Sequence, residues 1–323
     1  MLIWQTFKYH ITENKLVENG DRILLAVSGG PDSVVMADLF YRLRKTLDIE
    51  IIIVNFNHNL RKESERETKL VEQFSKSHNT KFISKNLNTK QFAVKNNISL
   101  ETAGRQLRYY HLENIAKTEK CNKIATAHNM NDQAETVLMW LIRGTGTDGL
   151  TGIPIERKLN KNLSIIRPLL SVSRDLIENY IKKQKLKYCT DKSNFSQDFT
   201  RNKIRLNILP EIKKINPLVI EHIFELSKIS TRENLYFDKK ISNFVLKNIK
   251  INSNKIIIDY KSFLNCDDAL KHRILKSIIP AKKSSGHINA ILKWAGDKKT
   301  QNYTLTKQWI VKKNNTKIFF IKK

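Results

Sequence analysis

Short apolar runs alternate with amphipathic stretches along the first half of the chain. The runs are rich in Ile, Leu and Val and predict buried strands at residues 23–27, 49–54, 81–84, 123–127 and 164–166. Apolar residues at helical spacing predict helices between them, at residues 33–43, 64–78, 99–117 and 132–142. This order predicts an α/β fold with a parallel sheet and helices on both faces, whose ligands bind beyond the carboxyl ends of the strands.

The second half of the pattern is mainly helical. Helices are predicted at residues 173–185, 200–214 and 218–250, and Asn216-Pro217 is a plausible boundary because the residue before proline leaves the helical region. The tail from residue 255 mixes a strand-like KIIIDY, two helices and a hairpin that turns at Asn314-Asn315. We therefore predict an α/β domain over residues 1–216 and a smaller, mainly helical domain with some strands over residues 217–323.

Positive charge dominates the composition and is concentrated toward the end of the chain. The 58 basic and 31 acidic residues give a net charge of +27. From Arg201 to Lys323 we count 27 basic and 9 acidic residues, so about two thirds of the excess lies there. This distribution indicates a polyanion-binding appendage, although a codon bias toward Lys, Asn and Ile is an alternative explanation.

Cysteine usage and hydropathy limit the other classes of function. Cys121, Cys189 and Cys266 stand far apart without metal-ligand spacing, which favours a reducing compartment and gives no indication of a zinc or iron-sulfur site. No apolar run approaches the ~18 residues of a membrane span. We expect a protein of the cytoplasm, or of an organelle stroma, that does not bind membranes.

The stretch SGGPDS, residues 28–33, joins the first predicted strand to the first predicted helix. Glycines at such a turn let backbone N–H groups approach a phosphate, and the helix N-terminus favours negative charge. Ser28 and Ser33 can add hydroxyl donors. The spacing and the absence of a lysine exclude a Walker A loop, and a tight turn made of small residues is the alternative.

SGGPDS resembles the SGGxDS loop of the ATP pyrophosphatases, the PP-loop superfamily, and four further stretches resemble its tRNA(Ile)-lysidine synthetases. The stretches are NFNHNLR from Asn55, LETAGRQLRYYHL from Leu100, ATAHNMNDQAETVLMWLIRGTG from Ala125, and the series RPLL, DKSN and RNKIR after residue 166. Together they cover residues 20–215. Asn55 and Asn131 replace a His and an Asp of the family pattern. We expect only the first of the two C-terminal domains that some members have.

The resemblance implies that ATP adenylates the wobble cytidine of a tRNA(Ile) with a CAU anticodon. Free L-lysine then displaces AMP and leaves lysidine. Ser28, Gly29, Gly30, Pro31 and Ser33 are the expected ATP cradle, together with His58 and Arg143. Asp32 is an expected catalytic residue that holds Mg²⁺, and a helix N-cap is its alternative role.

Asp132 and Glu135 share a helix face and are expected to bind the incoming lysine; a capping box is the alternative for this pair. Arg108 is expected to engage the lysine carboxylate or the nucleotide. Arg201 and Arg205, one turn apart, are expected to bind phosphate.

His128 is the expected base for lysine, with a purely structural role as the alternative for both His128 and His58. Arg143 and Gly144 contact phosphates or form a plain helix C-cap, and Arg105 is a surface or phosphate residue. A tRNA-thiolating enzyme of the same superfamily is the second candidate, and a non-catalytic RNA-binding protein the third. A homodimer is one expected assembly.

Overall fold

The computed structural model describes residues 2–57, 64–189, 200–279, 285–297 and 300–323. The chain forms two compact units, Met1–Lys228 and Ile229–Lys323. The division falls inside a long helix, Val219–Asn248, which begins just after the predicted boundary at Asn216.

The first unit is an α/β structure whose elements follow the predicted order. Its strands are β1 (Arg22–Ala26), β2 (Glu50–Asn57), β3 (Lys81–Asn86), β4 (Lys123–Ala125), β5 (Glu156–Asn160) and β6 (Leu163–Ile166). Its helices are α1 (Leu2–Glu13), α2 (Pro31–Leu43), α3 (Ser64–Ser77), α4 (Thr89–Asn96), α5 (Leu100–Thr118), α6 (Met130–Arg143), α7 (Thr147–Leu150), α8 (Arg174–Gln184), α9 (Thr200–Lys203), α10 (Leu209–Ile215) and the first part of α11 (Val219–Asn248).

The six strands lie in the order β3-β2-β1-β4-β6-β5. All five predicted strands pair in parallel, and β5 pairs with β6 in the antiparallel sense. Neighbouring residues of β1 point to opposite faces, so that Ile23 and Leu25 belong to one core cluster and Leu24 to another. Both clusters are buried, which confirms the predicted sheet with helices on both faces.

The connections of β1 open a crevice at one edge of the sheet. β1 lies between β2 and β4, and the chain leaves the carboxyl end of β1 toward α2 and that of β4 toward α6. Such a point, where the strand order reverses, is where open α/β sheets bind their ligands. SGGPDS follows β1 at this position, as the sequence predicts.

One irregular helical segment begins at Thr200. α9 continues into a π-helical turn, Ile204–Ile208, and then into α10, and the Leu209 N–H donates to the Ile204 carbonyl five residues earlier. Pro210 follows at once and has no N–H to donate. Ile204 and Leu209 are buried against Ala134 of α6, which fixes this segment beside the crevice.

The second unit combines helices with a five-stranded antiparallel sheet. Its strands are β7 (Ile249–Asn252), β8 (Lys255–Asp259), β9 (Asn302–Thr304), β10 (Trp309–Lys313) and β11 (Lys317–Lys322), in the order β7-β8-β11-β10-β9. Its helices are the rest of α11, α12 (Tyr260–Leu264), α13 (Asp268–Ile278) and α14 (Ser285–Gly296). The predicted strand KIIIDY and the hairpin that turns at Asn314-Asn315 are confirmed, whereas β7 and β9 were not predicted.

A buried lysine ties α14 to this sheet. The Lys313 ammonium donates to the carbonyl oxygens of Ala295, at 3.1 Å, and of Trp294 and Asp297. The side chain lies over the Trp294 ring at 4.7 Å. It thus supplies donors to carbonyls that the end of α14 leaves without helical partners.

Three helices of the first unit, α1, α4 and α7, and one strand, β5, were missed by the sequence pattern. α1 buries Ile3, Phe7, His10 and Ile11 at helical spacing, but its short sequence is half polar. β5 is an edge strand, ERKLN, without apolar alternation. Within the described ranges, no helix combines the length and apolar character that crossing a bilayer requires.

Candidate functional site

The loop between β1 and α2 is fixed by its own serines. The Ser33 hydroxyl donates to the Gly30 carbonyl at 2.9 Å and accepts from the Ser28 N–H at 3.1 Å. The Ser28 hydroxyl accepts from the Gly30 N–H at 3.3 Å. Gly29 has φ of +90°, a conformation that only glycine adopts without strain. The backbone of the expected cradle is therefore preformed, and its hydroxyls hold it in shape.

Asp32 connects this loop to the chain that follows β4. The N-cap of α2 is Gly30, so the N-cap role for Asp32 is wrong. Its carboxylate accepts from the Asn129 amide at 3.0 Å and from the Arg174 guanidinium at 3.4 Å. Burial raises the pKa of Asp32 more than Arg174 lowers it, and the charge of Asp132 raises it further.

Asn129 and Asp132 form the capping box of α6. The Asn129 side chain accepts from the Asp132 N–H at 3.0 Å, and the Asp132 carboxylate accepts from the Asn129 N–H at 3.0 Å. The predicted pairing of Asp132 with Glu135 as a capping box is wrong, because Asp132 is the third helical residue and not the cap. Asn129 thereby bridges Asp32 and Asp132, and sequence reasoning did not single it out.

Asp132 and Glu135 lie together, as expected, and both face two arginines. Arg201 donates to Glu135 at 2.7 Å and to Asp132 at 2.8 Å. Arg205 donates to Glu135 at 2.6 Å and to Asp132 at 3.2 Å. Glu135 is only 1% exposed, and the two arginines supply the hydrogen bonds that its buried carboxylate needs.

The four charges form one neutral cluster beside the crevice. Burial acts to lower the pKa values of both arginines, but the two carboxylates raise them overall. Arg201 and Arg205 were expected to bind phosphate, and here they contact carboxylates instead. Two guanidiniums thus occupy the position where the ammonium groups of lysine were expected.

His128 follows β4 and hydrogen-bonds through Nδ1 to the Thr126 hydroxyl at 3.1 Å. Burial holds its pKa well below the ordinary value, and the positive charges of Arg167 and Arg108 lower it further. The imidazole is therefore neutral at physiological pH. It can accept a hydrogen bond, but it holds an extra proton only weakly.

Arg105, Arg108 and Arg157 surround the ring of Tyr109. Their guanidinium carbons lie 5.1, 5.6 and 5.0 Å from its centroid. Burial acts to raise the pKa of Tyr109, but Arg105 and Arg108 lower it overall. Arg157 lies on the unpredicted strand β5, so no sequence pattern indicated that it belongs here.

Two cavities flank the carboxylate cluster, and each includes one of its arginines. The larger, of about 760 Å³, is lined by Arg105, Tyr109, Arg143, Arg157 and Arg201 among others. The smaller, of about 280 Å³, is lined by Asn129, Asn131, Glu135, Arg174, Arg205, Lys213 and neighbouring apolar residues. Arg108 is half-buried and is not among the residues that line either cavity.

Asn55 and Asn131, which replace a His and an Asp of the family pattern, form hydrogen bonds with the backbone, as does Gln133 of the stretch NDQAET. Asn55 donates to the Val27 carbonyl at 2.8 Å, and Asn131 accepts from the Arg174 N–H at 3.0 Å. Gln133 donates to the Thr151 carbonyl at 2.8 Å and accepts from the Ile153 N–H at 2.6 Å. Gly144 ends α6 as its C-cap, which confirms that alternative.

Some predicted site residues lie outside the described part of the chain. These are His58 and the stretch DKSN at residues 191–194. Arg143 is exposed at the end of α6 and lines the larger cavity. In the described ranges, no group of three or more His, Cys, Asp or Glu side chains is arranged to hold a metal ion.

Comparison with known proteins identifies the family. A PP-loop domain model matches residues 4–212. The tRNA(Ile)-lysidine synthase of Petrotoga mobilis is 40% identical over 224 residues, which are 69% of this chain and 70% of that protein. The chain belongs to the tRNA(Ile)-lysidine synthase family of PP-loop proteins.

Other relatives of this family are longer than the chain. The tRNA(Ile)-lysidine synthases of Thermosipho africanus and Clostridioides difficile are 41% and 38% identical, over 70% and 83% of this chain. The chain spans 53% and 58% of the length of these two proteins. The U34-tRNA thiolase NcsA from Methanococcus maripaludis, at 20% identity and a TM-score of 0.60 over 70% of this chain and 79% of that one, shows the fold alone.

Proposed function

We propose that the protein is a ligase that joins L-lysine to C2 of the wobble cytidine in a tRNA(Ile) with a CAU anticodon. ATP is consumed, and AMP and pyrophosphate are released. The family membership supports this reaction. The observation that carries the proposal is the pair Asp132 and Glu135, placed by Asn129 next to the phosphate loop, because lysine has ammonium groups that such carboxylates bind.

The reaction has two balanced steps. The cytidine O2 attacks the α-phosphorus of ATP and pyrophosphate leaves, so that the base carries an AMP group on O2. The ε-amine of lysine then attacks C2, the C2–O2 bond breaks, and AMP leaves with that oxygen. The amine loses one proton in this step.

The loop residues Ser28 to Ser33 would bind the phosphates of ATP through backbone N–H groups at the start of α2. Mg²⁺, when bound, would neutralise phosphate charge during transfer. Asp32 fits as its protein ligand, because Mg²⁺ is held by one or two carboxylates together with phosphate oxygens. Asn129 and Arg174 donate hydrogen bonds to the Asp32 carboxylate and fix its position next to the loop.

Asp132 and Glu135 would bind the ammonium groups of lysine. Its carboxylate would lie in the smaller cavity, where Arg174, Arg205 and Lys213 are available to it. Arg201 and Arg205 must give up part of their contact with the two carboxylates when lysine enters. His128 would receive the proton of the attacking amine. Its lowered pKa means that it passes that proton on to water rather than keeping it.

The test is a reconstituted reaction with tRNA transcript, ATP and isotopically labelled lysine. Digestion of the RNA followed by mass spectrometry should detect labelled lysidine, and pyrophosphate should appear only when tRNA is present. Incorporation of sulfur from a sulfur donor in the absence of lysine would instead support a thiolating enzyme. RNA binding with neither product would support a non-catalytic protein.

A further inference from the structure

The larger cavity is lined by several positively charged side chains. Four guanidiniums line it, those of Arg105, Arg143, Arg157 and Arg201, and Glu101 is the single acidic residue among its described lining. Within the described part of the chain, Arg105, Arg143 and Arg157 form no salt bridge with a carboxylate. The cavity is therefore an electropositive space whose charge its own walls do not neutralise.

Tyr109 holds this charge in place. Arg105 and Arg157 lie 5.1 and 5.0 Å from the centre of its ring, and the ring face attracts both cations. Both guanidiniums carry a positive charge at the cavity wall, and an anion bound in the cavity would be attracted to both. Arginine also offers paired N–H donors that match phosphate oxygens.

The cavity connects to the phosphate loop through a series of short contacts. Asp32 accepts from Asn129, Asn129 forms the capping box with Asp132, and Asp132 accepts from Arg201, which lines the cavity. No residue of the loop itself is among the lining residues. The cavity is therefore distinct from the loop and is linked to it through Asn129, Asp132 and Arg201.

We propose that this cavity binds the backbone phosphates of the RNA segment that carries the target cytidine. This assignment rests on the proposed function and goes further, since it names the surface that presents the base to the carboxylates and the loop. Arg105, Arg143 and Arg157 contact phosphate, and Tyr109 positions two of them. The basic second unit then adds affinity without placing the base.

The experiment measures binding of a fluorescein-labelled anticodon stem-loop with the CAU anticodon, without ATP or lysine, over a range of salt concentrations. Arg105→Ala and Arg157→Ala should each weaken binding about tenfold, and the slope of log affinity against log salt should become shallower by about 0.7 per lost contact. The matched control is Arg44→Ala, because that guanidinium also lies over a tyrosine ring, 5.4 Å from Tyr41, and is exposed. It should change neither quantity.

Equal binding by the cavity variants and the Arg44 control would overturn the proposal, as would a wild-type protein without measurable affinity for the stem-loop. In a separate ATP titration of the same variants, a loss of ATP affinity with unchanged RNA affinity would show a nucleotide site and also overturn it. If the melting curve shows that one of these variants is unfolded, Arg143→Ala takes its place in the binding experiment, because the Arg143 side chain is exposed at the end of α6. Loss of RNA binding in the variants, in a protein that makes no lysidine, would leave the cavity assignment standing and refute the proposed reaction.

Discussion

Replacing Asp132 by Asn separates its two roles in the structure. The amide oxygen of Asn can still accept from the Asn129 N–H, so the capping box survives. The substitution removes one negative charge from a cluster in which two arginines share Asp132 and Glu135. Because a charge-assisted hydrogen bond contributes about 1.5–3 kcal/mol, we expect the lysine concentration for half-maximal lysidine formation to rise roughly ten- to a hundredfold.

Stability should change less than lysine dependence. The Asp132 side chain is 15% exposed and its arginine partners 28% and 30%, so we expect a loss of about 1–2 kcal/mol. A loss of that size lowers the melting temperature by roughly 2–8 °C in a domain of this size. The unit should remain folded and should bind ATP as before.

The assay is lysidine formation at varied lysine, with ATP and tRNA saturating and melting curves recorded in parallel. Asp268→Asn is the matched control, since Asp268 lies in the first turn of α13 and its side chain is 95% exposed. It should leave lysine dependence unchanged. A lysine requirement within twofold of wild type in Asp132→Asn would refute the lysine-binding role and leave only capping and ion pairing.

Three further substitutions test other parts of the fold. Gly29→Ala should lower the free energy of unfolding by roughly 1–2 kcal/mol and weaken ATP binding, because φ at Gly29 is +90°. Gly30→Ala should have a smaller effect, because φ at Gly30 is −73°. Equal effects of the two substitutions, by melting curves and by calorimetry of ATP binding, would contradict this. Burial lowers the pKa of His10 from 6.5 to about 4, so the unfolded chain binds the proton more readily and roughly 3 kcal/mol of stability should be lost as pH falls from 6.5 to 4. Urea unfolding should show that His10→Asn removes most of this dependence, and a parallel loss in the variant would refute it. Lys313→Met should destabilise the second unit by about 1–3 kcal/mol in denaturant unfolding, because the carbonyl contacts of Lys313 are lost. Lys312→Met, at an exposed neighbouring position, should have little effect. Similar losses in both variants would rule out the carbonyl contacts as the cause.

The sequence predicts the sheet well because its strands are buried runs. β1, β2 and β4 lie in the interior, and their continuous apolar pattern is sufficient to place SGGPDS at a carboxyl end. β5 escapes prediction because an edge strand with solvent on one side needs few apolar residues. Arg157 was missed with it.

The contacts of the charged cluster could not be predicted in the same way. Spacing alone places Asp132 and Glu135 on one helix face, which the structure confirms. Arg201 reaches them from a segment far along the chain, through tertiary packing that no local pattern encodes. Asn129 is similar, because its bridge to Asp32 depends on how two loops meet beyond the sheet.

The π-helical turn at Ile204–Ile208 makes the number of residues in this segment matter as much as their identity. A π turn contains one residue more than an α turn, so deletion of one residue within it would restore an ordinary helix. Each residue turns an α-helix by about 100°, so with Leu209 held in the core the deletion would rotate Arg201 away from Glu135. A relative with one residue fewer in this turn would therefore carry both arginines in its sequence but lack the contact between the residue equivalent to Arg201 and the one equivalent to Glu135.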